Sequence, residues 1–164
     1  MRSFLILATL ALATVGLRAA EPEYPKQGPD IYSPSADAST DITAALAQAK
    51  AGHRHVLLDF GANWCVWCHR LHHTLDTDAQ VAAALSRDFV VVMVDVNTRH
   101  GVHRNADVNA RYGNPVQHGL PVLVVLDADG KQLTTQDSGA LEEGAGHSPA
   151  KILAFLAHWA PARR

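Results

Sequence analysis

Apolar and polar positions along the chain switch repeatedly between a helical period and short continuous runs. From Thr40 or Asp41, either able to cap, to about Ala51, the residues Ile42, Ala45, Leu46 and Ala49 recur at helical spacing. This predicts an amphipathic helix with Gly52 as its stop. Val56 to Phe60 reads as a short apolar strand that feeds through Gly61-Ala62-Asn63 into Trp64-Cys65-Val66-Trp67-Cys68 and a second helix. On that helix Cys68, Leu71 and Leu75 share a face, whereas His69, His72, His73 and Asp76 fall elsewhere. Asp78 to Leu85 predicts a further short helix, and the β-branched run Phe89 to Val96 a strand buried on both faces.

Residues 97–120 form a long connection with a short helix near Asn105 to Tyr112 and a break at Gly113-Asn114-Pro115. Val122 to Leu126, the Asp127-Ala128-Asp129-Gly130 turn and Lys131 to Thr135 predict a β-hairpin. After the glycine-rich stretch 138–146, Ser148 caps a last helix with Pro149 at its first position. Ile152, Leu156 and Trp159 mark its buried stripe. The order β-α-β, hairpin, helix implies an α/β fold with a central mixed β-sheet flanked by helices on both faces. There is no internal repeat.

Charge and composition change the picture mainly at the N-terminus. Arg2 precedes the uncharged, mostly apolar run Phe4 to Leu17, and Ala19 and Ala20 stand just ahead of Glu21, a pattern expected of a cleaved signal peptide at 1–20. The apolar run is too short in helical form to cross a ~30 Å hydrocarbon core. Residues 21–39, with Pro22, Pro25, Pro29 and Pro34, read as an extended lead-in to a single domain at 40–160. Without residues 1–20 the chain loses Arg2 and Arg18, and its net charge moves from −2 to −4. No long basic run remains, which argues against nucleic acid or an anionic membrane surface as partner. The expected location is the periplasm or the exterior.

The two cysteines of the chain fall within four residues of each other. A bridge from Cys65 to Cys68 closes so short a loop that the chain-entropy model credits it with only about 2 kcal/mol. Such a pair suits exchange better than stapling. On the first turn of a helix, Cys65 would sit at the positive end of the helix dipole, which favours its thiolate. Cys65 is then the candidate nucleophile, and Cys68, one turn inward, would resolve a mixed disulfide.

With Leu58-Asp59-Phe60 ahead of Trp64-Cys65-x-x-Cys68, and Gly119-Leu120-Pro121-Val122 ahead of an apolar strand, the sequence resembles the thioredoxin family over roughly residues 40–160. It looks most similar to periplasmic members, among them the C-terminal domain of the thiol:disulfide interchange transmembrane reductase. The shared pattern is Trp64-Cys65-Val66-x-Cys68, then Asp78-x-Gln80-Val81, then Gly119-Leu120-Pro121. The resemblance implies a thioredoxin-like fold and thiol–disulfide exchange with protein thiols and disulfides, more in the reducing direction. A membrane or periplasmic redox partner, action as a monomer and no cofactor are also expected.

By the same resemblance Asp59 would be a buried acid relaying a proton to or from Cys68, and burial beside Leu58 and Phe60 would raise its pKa. Pro121 would be cis, leaving the Leu120 backbone to pair with an extended substrate. Trp64 and Trp67 would supply an apolar collar around Cys65. The sequence departs from the family's pattern in Val66-Trp67 between the cysteines and in Gly61 where a tryptophan is common. The strand Val91-Val92-Met93-Val94 also lacks the lysine that often accompanies the buried acid.

Three other readings bear on the same residues. Cys65-x-x-Cys68-His69 also spells a c-type haem attachment motif, although haem attachment gives no reason for Asp59 or Leu120-Pro121. His69 and His73, one turn apart, could join the cysteines in a soft metal site. No second separated pair accompanies them, so these and His72 read as solvated helix-face histidines, and no metal is expected. A non-catalytic binding module on the same fold is the third alternative.

Overall fold

The computed structural model describes residues 28–162; the predicted signal peptide lies outside the described residues. Helix α1 (Ala38–Gly52) begins earlier than Thr40 because Asp37 is its cap, with the carboxylate accepting from Ser39 N at 2.9 Å and Thr40 N at 3.2 Å. It ends on His53, which takes the left-handed conformation (φ 51°) expected for Gly52, itself still helical. Strand β1 (His55–Gly61) follows and leads into α2 (Val66–Thr77). Asp78 closes α2 and caps α3 (Ala79–Asp88), its side chain accepting from Gln80 N and Val81 N at 3.0 Å each.

Strand β2 (Phe89–Asp95), the short helix α4 (Ala106–Arg111) and the hairpin of β3 (Val122–Leu126) and β4 (Gln132–Asp137) follow. A two-residue hairpin, β5 (Glu142–Glu143) with β6 (Gly146–His147), precedes α5 (Pro149–Trp159). Pro149 opens α5 as expected, although the Ser148 side chain makes no capping bond.

The main sheet has the order β2-β1-β3-β4, with β2 parallel and β3 antiparallel to β1. Strand β1 is thus interior, and from Val56 to Gly61 every residue is buried. Alternation sends Val56, Leu58 and Phe60 towards Ile42, Ala45 and Ala49 of α1 and Val108 of α4. Leu57 faces the opposite way, towards Leu71 and Leu75 of α2, Val81 and Leu85 of α3, and Ile152 and Leu156 of α5. Asp59 shares the α2 side with Leu57 by the same alternation.

Strand β2 departs from its expected burial on both faces. It is an edge of the sheet, and Val91 is 38% exposed. A continuous β-branched run suits a fully buried strand, but at an edge one face and one row of backbone groups lack a cover. Among the described residues no helix is long and apolar enough to cross a membrane.

Candidate active site

The loop from β1 to α2 delivers both cysteines. Cys65 N donates to Ala62 O at 2.9 Å, closing a turn that places Cys65 as the cap of α2. Its Sγ accepts from Cys68 N at 3.1 Å, so the helix N-terminus is aimed at this sulfur. Cys65 and Cys68 are joined by a disulfide, with Cα atoms 5.2 Å apart. Cys65 is 6% exposed and Cys68 fully buried, which leaves Cys65 as the sulfur an incoming group can reach.

On β1, just before the loop that delivers the cysteines, Asp59 is completely buried, and burial pushes its carboxyl up to about 7. Its cross-strand neighbours are Met93 on β2 and Leu123 on β3, both apolar. Met93 lies in the strand where the family's accompanying lysine is missing. Relief comes instead from Tyr32 in the lead-in, whose hydroxyl donates to Asp59 Oδ1 at 3.0 Å. Asp59 Oδ2 is buried with no hydrogen-bond partner. Burial, and then the carboxylate of Asp59, push the Tyr32 phenol well above its usual range.

Asn63 fastens the Tyr32 segment. Its Oδ1 accepts from Ile31 N at 2.9 Å and Tyr32 N at 2.8 Å, while its Nδ2 donates to Tyr32 O at 2.8 Å. The backbone carbonyl of Asn63 is also 2.8 Å from His69 Nε2. His69 is therefore 4% exposed rather than a solvated helix-face residue, because a polar partner inside the loop draws it inward. His72 does face outward and pairs with Asp76 at 3.1 Å. The haem reading finds no support: the two sulfurs bond each other, Cys68 is enclosed, and His69 is held by Asn63.

Trp64, Trp67, Met93 and Leu120, all half-buried, pack against the cysteines with Ile31 of the lead-in. Leu120-Pro121 is cis, as the resemblance implied. Trp64 Nε1 donates to Asn97 Oδ1 at 2.9 Å, and the Arg99 guanidinium lies 4.0 Å from the centre of its ring. Arg70 lies over Trp67 at 4.4 Å, and the His147 ring meets Trp67 edge-on at 5.7 Å. His147 is 2% exposed with neither ring nitrogen partnered; burial and then the Arg70 charge lower its pKa to about 4.

The structure thus gathers Asp59, Cys65, Cys68, Trp64, Trp67 and Leu120-Pro121 at one end of the sheet. Sequence reasoning missed Tyr32, Asn63, Arg99 and His147. A signal existed for Tyr32: it is an aromatic residue in a proline-rich stretch, and the bare Gly61 calls for a bulky neighbour. Nothing local marks the other three, whose partners lie far along the chain.

Residues 37–128 match the thioredoxin-like family model. Over 93 residues the chain is 38% identical to the thiol:disulfide interchange protein DsbD of Ralstonia nicotianae, covering 57% of this chain and 14% of that protein. The disulfide bond reductase DsbH of Chlamydia pneumoniae is 28% identical over 108 residues, 62% of this chain and 61% of the relative. The chain therefore spans only a small part of the DsbD proteins and under two thirds of DsbH. The crystal structure of a disulphide isomerase from Xylella fastidiosa superposes with a TM-score of 0.69 at 37% identity, covering 78% of this chain and 95% of the other. With the family model matched over more than half its length, the chain belongs to the thioredoxin-like family.

Proposed function

We propose that the protein is a thiol–disulfide oxidoreductase that reduces disulfides in protein substrates outside the cytoplasm, in the periplasm or beyond it. The observation that carries this reading is the grouping of a helix-capping Cys65, less enclosed than its partner, a fully buried Cys68 and a desolvated Asp59 bonded to Tyr32 of the same cluster. In the reduced protein, the Cys65 thiolate, favoured by the N–H of Cys68, attacks a substrate disulfide and forms a mixed disulfide. One substrate sulfur leaves with the electron pair. Cys68 then gives its proton to Asp59 and attacks Cys65 Sγ, releasing the second substrate sulfur and closing the Cys65–Cys68 bond. A dithiol partner restores the pair.

Trp64, Trp67 and Leu120-Pro121 form the apolar surface against which an extended substrate lies, in this reading. The expected export is supported by the apolar run at Phe4 to Leu17 behind Arg2.

Insulin reduction with a dithiol donor tests the reading. The wild-type protein is expected to accelerate it, and Cys65→Ser to abolish the acceleration; equal rates would overturn the mechanism. A reduction potential near about −270 mV supports net reduction, whereas one near about −120 mV reverses the direction. The likeness to a disulphide isomerase favours a second reading, reshuffling without net electron transfer. Reactivation of scrambled ribonuclease by the reduced protein, without added oxidant, would favour that reading.

A further inference from the structure

The segment carrying Tyr32 lies ahead of the family match at 37–128, yet it reaches the innermost part of the site. Its position is closely defined. Asn63 holds both its backbone N–H groups and the Tyr32 carbonyl, and Arg104 Nη1 donates to Pro34 O just beyond. Tyr32 is 1% exposed. Its hydroxyl occupies a notch that only glycine leaves open: a Cβ on Gly61 would stand 2.1 Å from Tyr32 Oη and 2.8 Å from Cys68 Sγ. The hydroxyl and the buried sulfur thus border the same notch, Tyr32 and Cys68 share one buried cluster, and the hydroxyl bonds the buried acid. Neither cross-strand neighbour of Asp59 can donate a hydrogen bond from its side chain.

We propose that Tyr32 is a positioning residue of the exchange reaction, holding Asp59 by Oδ1 so that Oδ2 receives the Cys68 proton, and setting the pH at which that transfer occurs. The proposal rests on the thiol–disulfide reading above. The step balances: the Cys68 S–H bond breaks, its proton passes to Asp59 Oδ2, and the sulfur's electron pair forms the bond to Cys65. The pair from the mixed disulfide departs on the substrate sulfur. Tyr32 keeps its own proton throughout, because burial and two carboxylates, Asp59 and Asp95, oppose its ionisation.

Among the described residues, the charged and titratable groups acting on this centre come from three strands and helices and from the lead-in. Asp59 stands on β1, Cys68 on α2, and Asp95 at the end of β2, with Arg104 Nε 3.2 Å from the Asp95 carboxylate and Asp30 acting on Asp95 from the lead-in. The Tyr32 bond favours ionised Asp59 against the burial that pushes it up to about 7, so losing the bond must move the titration upward. A hydrogen bond to a charged group corresponds to a shift of about one pH unit or more.

The test is a carboxyl-carbon NMR titration of Asp59 in the full chain, assigned by its loss in Asp59→Asn, together with the pH profile of disulfide reduction. In Tyr32→Phe, which keeps the ring, the midpoint is expected to rise from about 7 to roughly 8, and the acid limb of the rate profile to move with it. Asn63→Ala, which frees the segment without touching the hydroxyl, is expected to shift the midpoint the same way. An unmoved midpoint in Tyr32→Phe, with wild type active, would overturn the role of Tyr32. A wild type that reduces no disulfide would instead overturn the functional reading beneath it.

Discussion

Asp59 carries a carboxyl pushed up to about 7 by burial, whereas an aspartate in an unfolded chain titrates near ~3.9. Between those values the folded protein holds a proton that the unfolded chain has released. Stability contributed by this group is therefore complete below ~4 and falls as the pH rises through about 7, by up to about 4 kcal/mol. Asp59→Asn removes that loss. Urea unfolding is expected to show the variant gaining on wild type from pH 4.5 to pH 8; a pH-independent difference would mean that Asp59 ionises as freely in the fold as outside it. The acid itself was legible in the sequence, because a charge between Leu58 and Phe60 on an apolar strand has nowhere solvated to point. Its pairing with Tyr32 was not, because the aromatic residue and the bare Gly61 hint at a neighbour but Tyr32 is 27 residues away and reaches Asp59 only through the tertiary fold.

Among the elements, α2 was the most legible, because its first turn, its buried face and its chemistry all lie within a dozen residues. Its misread feature, His69, depended on a carbonyl in the preceding loop whose direction no periodicity reveals. The edge position of β2 was hidden for a different reason: a β-branched run reports apolar surroundings, not how many strands pair with it. Helix α1 started early because Asp37, like Thr40 and Asp41, is able to cap, and the choice falls to the side chain that meets free N–H groups. Asp37 does so twice. Asp37→Ala is expected to cost about 1 kcal/mol in urea unfolding, and Asp41→Ala distinctly less; the reverse order would move the cap to where the sequence suggested it.

At the scale of the molecule, the alternating residues of β1 divide the interior into two packed layers. This follows from strand periodicity, and so the mixed sheet with helices on both faces could be read in advance. The association of the lead-in with the domain could not. A stretch rich in proline signals an extended backbone, and extended backbone can lie anywhere until a polar partner fixes it. Asn63 is that partner, with three hydrogen bonds to Ile31 and Tyr32. Asn63→Ala strands the N–H groups of both, and a cost of about 3 kcal/mol is expected in urea unfolding. A change within about 0.5 kcal/mol would show that the segment stays in place without the amide.

That amide also bears on how the molecule would keep its shape through the proposed cycle. In the proposed cycle the sole covalent cross-link opens at every turn, so it cannot serve as a fastener. The ring closed by Cys65 and Cys68 is in any case too short to restrain much of the chain. Asn63 binds backbone 31 and 32 residues away, beside the cysteines but through groups other than the sulfurs. None of these bonds involves a sulfur, so opening the disulfide breaks none of them, and the dithiol and disulfide forms are expected to share one architecture.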